Sequence, residues 1–263
     1  MGSPASRDSS ALPRPPFAIT DLKLSALPLL VTFLLGMGVP QLGLPVRWLL
    51  GRIASPDQLA IYPWLYLYAG HTGQLLGALA CIAVMRRFIP GHYGLRLPRR
   101  KSYIGTAVAW GIAFGVAMTL VDYAPEISEH AAPKGFYPLT RVNILGWLSF
   151  EALFVGFPEE ILFRGLLVTY LMAKVPGRVR LFQYQMSVAG VLVALIFALA
   201  HVTNFWVRPF WLALGQQVYA FALAILYAYW YEKSESLLAP IIGHNLSDGV
   251  EYALTLTLVA LWS

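Results

Sequence analysis

The sequence predicts an all-α, polytopic transmembrane helical bundle, and three observations carry that prediction. Hydrophobic residues make up 58% and charged residues only 12% of 263 positions, with a mean hydropathy of +0.62, a composition that calls for lipid as the solvent. Apolar runs of about twenty residues, the length a helix needs to cross the hydrocarbon core, recur along the chain. Lys and Arg gather in short connections between those runs, the pattern of cytoplasmic loops. The formal net charge of +6 is therefore a matter of topology, and no nucleic-acid partner is implied. Cys81, the single cysteine, excludes an intramolecular disulfide and a cysteine-built zinc site.

Residues 1–16, rich in Ser, Pro and Arg, read as a disordered cytoplasmic tail. Residues 17–263 read as one transmembrane domain, with the chemistry in 142–263. The first apolar run, about 22–39, lacks a small-residue cleavage pattern and is expected to remain as a span; Pro40, Pro45 and Pro56 punctuate the connection after it. The second span, about 59–84, opens with Tyr62, Trp64, Tyr66 and Tyr68, an interfacial aromatic belt. His71 stands alone in it, and its simplest reading is a histidine bonded to a neighbouring helix. Arg86, Arg87, Arg96, Arg99, Arg100 and Lys101 then mark a cytoplasmic loop.

A third span, about 103–121, leads to Asp122, Glu126, Glu129 and His130. Their irregular spacing in a Pro-containing loop predicts a solvated outer turn and not a metal site. The fourth apolar segment, about 142–172, is followed by Lys174, Arg178 and Arg180, back on the cytoplasmic side. Further spans run over about 187–202, 210–231 and 237–261, with Gly243 and Gly249 as places where the last could break. Seven to eight helices result, with the N-terminus inside and no strand pattern. The Ala-, Leu-, Pro- and Arg-rich composition suggests a multi-pass protein of a bacterial inner membrane.

Charges inside the fourth segment are the first place to look for chemistry, because charged groups at bilayer depth are costly and usually functional. Glu160 and Arg164 stand at i and i+4, the favoured order for an ion pair, while Glu159 points about 100° away on the helix. Pro158 removes a backbone donor there and is expected to kink the helix, opening space beside Glu159. His201 near the end of the fifth span, and His244 and Asp248 at i and i+4 in the last, complete the polar set. Counted at about 1.5 Å per residue from the cytoplasmic ends, Glu159, His201, His244 and Asp248 fall within one slab about 10 Å thick. Two histidines and two acids at one depth on three helices point to a reaction centre.

No Gly-x-Ser-x-Gly, Ser-Lys pairing or His-Glu-x-x-His is present, so nucleophilic and helical zinc-protease chemistry lack their motifs. A carboxylate and an imidazole that activate water remain, with a second His and a polar group to stabilise an oxyanion. A proton-coupled transporter is the alternative from another class.

Glu-Glu-x-x-x-Arg at Glu159, Glu160 and Arg164, Phe-x-x-x-His at Phe197 and His201, and His-x-x-x-Asp at His244 and Asp248 lie in this order on separate helices. Together they resemble the CAAX protease and bacteriocin-processing enzyme (CPBP, or Abi) family, whose eukaryotic branch contains the Ras-converting CAAX endopeptidase. The likeness spans about 142 to the C-terminus. It implies an intramembrane glutamic endopeptidase with a cavity reached from the membrane and the cytosolic side. Glu159 and His201 would activate water, His244 and Asp248 would form the oxyanion hole, and Glu160, Arg164, Phe197 and Asn245 would support the site. The CAAX endopeptidases commonly carry Asn where Asp248 stands; an Asp donates to an oxyanion only when protonated, and otherwise orients His244.

The resemblance implies no cofactor, with zinc on Glu159, His201 and His244 as the alternative. It also implies a membrane-protein or lipidated-peptide substrate, met through CAAX-type, sorting-signal or bacteriocin processing. Some relatives act as immunity or scaffold proteins without cleavage.

Overall fold

The computed structural model describes residues 16–99, 101–134 and 137–263. The expected tail, apart from Pro16, and Arg100 lie outside them. The chain is an all-α membrane bundle. Five helical runs are long and apolar enough to cross a membrane: Ala26–Ile53, Trp64–Met85, Ile104–Asp122, Val188–Trp206 and Phe210–Ser234. The first is composite, with α1 (Ala26–Gly38), a 3₁₀ turn (Val39–Leu42) and α2 (Gly43–Ile53), because Pro40 interrupts the backbone ladder at the first turn of the 3₁₀ segment. After the short α3 (Pro56–Ile61) come α4 (Trp64–Met85), α5 (Ile104–Asp122) and a second short helix, α6 (Ala124–Glu129).

The fourth apolar segment is helical over 141–174 except for a turn at Val155, and it departs from α-helical pitch in two places. α7 (Arg141–Ser149) passes into a π-helical stretch (Phe150–Phe154), α8 (Gly156–Glu160) comes after it, a second π stretch (Ile161–Val168) is next, and α9 (Thr169–Lys174) closes the run. Widened π turns thus lie on either side of Pro158, a feature that recurs at functional sites. α10 (Val188–Leu199), α11 (Phe210–Ser234) and α12 (Leu238–Trp262) complete the bundle. α12 continues through Gly243 and Gly249 without a break. Both glycines face neighbours, since a Cβ on Gly243 would meet Trp230 at 2.8 Å and one on Gly249 would meet Ala152 at 2.7 Å.

The expectation of no strands is overturned. β1 (Phe17–Thr20), β2 (Arg178–Leu181) and β3 (Tyr184–Ser187) form a three-stranded antiparallel sheet in the order β1-β2-β3. Each strand is four residues long, too short for a period-2 pattern to emerge from the sequence, and β1 pairs with a partner about 160 positions away, Phe17 opposite Leu181. The sheet belongs to one end of the bundle. There Leu237 N–H donates to Gly94 O at 3.1 Å, Arg96 pairs with Glu235, and Ser187 N–H donates to Glu232 at 2.9 Å.

At the other end Trp64 Nε1–H donates to Asn143 at 3.3 Å and His130 rests on Trp262 with ring centroids 5.7 Å apart. The loop acids are not all solvated as expected. Asp122 is buried, accepting from Arg208 at 2.8 Å and from Tyr219 at 3.2 Å, because the loop after α10 brings a guanidinium over the end of α5.

Candidate active site

Helix contacts set the site before any charge does. α5 lies close on α12 through Gly111 and Gly115, a small-xxx-small face. A Cβ on Gly115 would stand 2.7 Å from Ser247 O, and one on Gly111 2.9 Å from Gly243 O. On the other flank of α12, Asn245 Oδ1 accepts the Gly156 N–H at 2.7 Å, a main-chain donor that the adjoining π stretch leaves available. α12 is thereby fixed between α5 and α8, with His244 and Asp248 directed at the glutamates.

Glu160 and Arg164 are fully buried and joined at 2.8 Å. The same Glu160 Oε1 receives His244 Nδ1–H at 2.8 Å. The Arg164 guanidinium lies over Phe197 at 4.6 Å and Tyr227 at 5.2 Å, placing aromatic faces where a buried cation gains most. Tyr227 also stacks on His244 at 5.5 Å with 20° between planes, and Phe197 stands edge-on to it at 6.1 Å. Phe197 and Tyr227 therefore wall in both the guanidinium and the imidazole.

Glu159 faces the other way, toward open space. Its Oε1 is 3.3 Å from His71 Nε2 and its Oε2 is 3.7 Å from His244 Nε2. His244 Nε2 meets Asp248 Oδ2 at 3.2 Å, and Asp248 Oδ1 accepts from Ser247 at 3.2 Å. Both His244 nitrogens thus face carboxylates, which can only accept unless protonated, so the ring donates from both. Asp248 orients His244 in this geometry.

His201 sits just past the end of α10. Its Nδ1 lies 3.0 Å from Phe197 O, a bond in which the ring must donate, leaving Nε2 as an acceptor in the neutral tautomer. Glu159 and His201 together line two cavities. One, of about 260 Å³, runs along Glu151, Tyr219, Tyr227, His244, Asp248 and Glu251. The other, of about 340 Å³, runs along Gln41, Arg47, His71, Gln74 and Thr203. Glu159 and His201 are the two residues that line both.

Among the described residues, no group of three acidic, His or Cys side chains is arranged to hold a cation.

Among the histidines and acids at the site, His71's partner, Glu251 and Glu151 have no place in the sequence reading. His71 is bonded to a neighbouring helix, as its simplest reading has it, but the partner is Glu159, 88 positions away. Glu251 lies at i+7 from His244, on the same face of α12, so helical periodicity could have found it. Glu151 stands two turns before Glu159, but the intervening π stretch alters the phase that ordinary periodicity would use.

The family model described as type II CAAX prenyl endopeptidase, Rce1-like, matches residues 141–250. No curated protein and no solved structure matches the chain. The matched stretch contains Glu159, Glu160, Arg164, Phe197, His201, His244 and Asp248, and over it the chain is similar to the type II CAAX prenyl endopeptidases.

Proposed function

We propose that this protein is an intramembrane endopeptidase that hydrolyses a peptide bond in a membrane-embedded or lipid-modified substrate, using water activated by Glu159 and His201. The observation that carries the reading is that Glu159 and His201 are the residues that line both cavities. A water there gives its proton to the Glu159–His201 pair as its oxygen bonds to the scissile carbonyl carbon. The developing oxyanion draws the His244 Nε2–H away from Asp248, which lies 3.2 Å from it before substrate binds. The proton then passes to the amine as the C–N bond breaks, leaving a carboxylate and a free amino terminus. Glu160 and Arg164 hold His244 from behind and touch no substrate.

The test is cleavage of membrane-peptide and prenyl-peptide libraries by the purified protein in detergent. Wild type yields products, Glu159→Ala yields none, and product formation survives a chelator. Reversible loss on chelation would make the His and acid groups metal ligands. A folded wild type that cleaves nothing would favour immunity, scaffold or transport.

A further inference from the structure

We infer that the active site is entered from the non-cytoplasmic end of the bundle, so that its substrate is a translocated segment of a membrane-anchored protein. The inference rests on the proteolytic reading for its substrate and on separate observations for its geometry.

The two ends of the bundle are distinct. At one, the connections 86–103, 175–187 and 235–237 are joined by the Arg96–Glu235 pair, by Leu237 N–H on Gly94 O, and by the sheet with β1. At the other lie Trp64, Asn143, His130, Trp262 and the Asp122–Arg208 pair. The cavities extend from Glu159 toward the second end. The first is lined by Tyr123, which caps α5, Gln216 in the second turn of α11, and Thr255 late in α12. The second is lined by Gln41 and Arg47 beyond α1, and by Thr203 in the turn after α10. Among the described residues, none of the connections 86–103, 175–187 or 235–237 lines either cavity.

Charge assigns these ends to sides. The connection 86–103 carries six Lys and Arg and no acid (Arg86, Arg87, Arg96, Arg99, Arg100 and Lys101), and Lys174, Arg178 and Arg180 lie at the same end. The opposite end carries Arg47, Arg52, Lys134, Arg141 and Arg208 against Asp57, Asp122, Glu126 and Glu129, with Arg208 already neutralised by Asp122. A bias of this size in short loops sets orientation with the basic end in the cytoplasm. The cavity mouths are then outside, the reverse of the cytosolic access that the family resemblance implies. A lipidated tail in the cytosol would face the end of the bundle whose connections line neither cavity, whereas a segment exported by the secretory machinery would face the end toward which both extend.

The experiment is site-directed labelling of the full chain in bacterial spheroplasts with a membrane-impermeant maleimide, in a Cys81→Ser background. Thr203→Cys in the second cavity and Lys134→Cys at the far end are expected to label in intact spheroplasts. Lys101→Cys is expected to label only after permeabilisation. Labelling of Thr203→Cys only after permeabilisation overturns the inference, and Gln41→Cys repeats the measurement from another element if the first variant fails to fold. Cleavage is then measured in sealed vesicles of known orientation. Product from peptide added to right-side-out vesicles alone supports the substrate assignment, and product in inverted vesicles alone overturns it. No product in either, with Thr203→Cys labelled from outside, upholds the access route and removes the proteolytic reading instead.

Discussion

Glu159 and Glu160 are adjacent in sequence and opposite in consequence. Glu160 is fully buried, taking Arg164 and His244 on one oxygen, and its side chain is closed to substrate. Arg164→Ala would leave that carboxylate without its buried counter-charge, a loss of about 3–5 kcal/mol, read as a lower unfolding midpoint in detergent. Glu159→Gln should leave that midpoint nearly unchanged while lowering kcat by about 10²–10⁴-fold, the range of a general acid–base contribution. A lowered midpoint in one variant and lost turnover in the other would separate a structural acid from a reacting one. His71 acts through Glu159: its Nδ1 lies 3.0 Å from Leu67 O, which holds the ring with Nε2 3.3 Å from Glu159 Oε1. His71→Ala is expected to lower kcat/KM by about 100-fold by releasing the carboxylate from its position. His71→Gln keeps a donor and should restore part of the loss, a recovery that a purely packing role would not give.

Helices place these groups by approach, and approach here depends on small side chains and altered pitch. The Gly111 and Gly115 face of α5 allows α12 to come close enough that any Cβ would press on Ser247 O or Gly243 O. Gly115→Val is expected to cost about 1–3 kcal/mol through overpacking. Because Ser247 precedes Asp248, the same change should reduce cleavage by more than its stability loss explains, measured as kcat/KM under conditions where the variant remains folded. The π stretches flanking α8 have a matching role. They accommodate Pro158, free the Gly156 N–H for Asn245, and turn Glu159 and Glu160 onto different surroundings within a single turn.

Across the whole molecule, the family match begins at residue 141, yet the site does not. α4 supplies His71 to Glu159, and the 3₁₀ turn and α2 supply one wall of the second cavity through Gln41 and Arg47. Residues 137–263 expressed alone should therefore show no cleavage, and co-expression with residues 1–136 should restore it. Activity from the shorter piece would mean that the first helices only shield the site from lipid.

Composition and loop charge were enough for the fold class, since apolar length and Lys/Arg placement answer to the bilayer and not to any particular neighbour. The motifs were enough for the likeness to the CAAX endopeptidases over 141–250, because helical spacing alone puts Glu160 with Arg164 and His244 with Asp248. Spacing could not reach the relations across elements. His71 meets Glu159 over 88 positions, β1 pairs with β2 over about 160, and Asp122 leaves the solvent for Arg208. None of these has a local signature, because each forms only when packed helices bring distant polar groups together where water cannot satisfy them. The end of the bundle at which the cavities open was settled in the same way. Residue types and helical spacing were written in the chain, while the partner of each buried charge and the lining of the cavities came from how the helices pack.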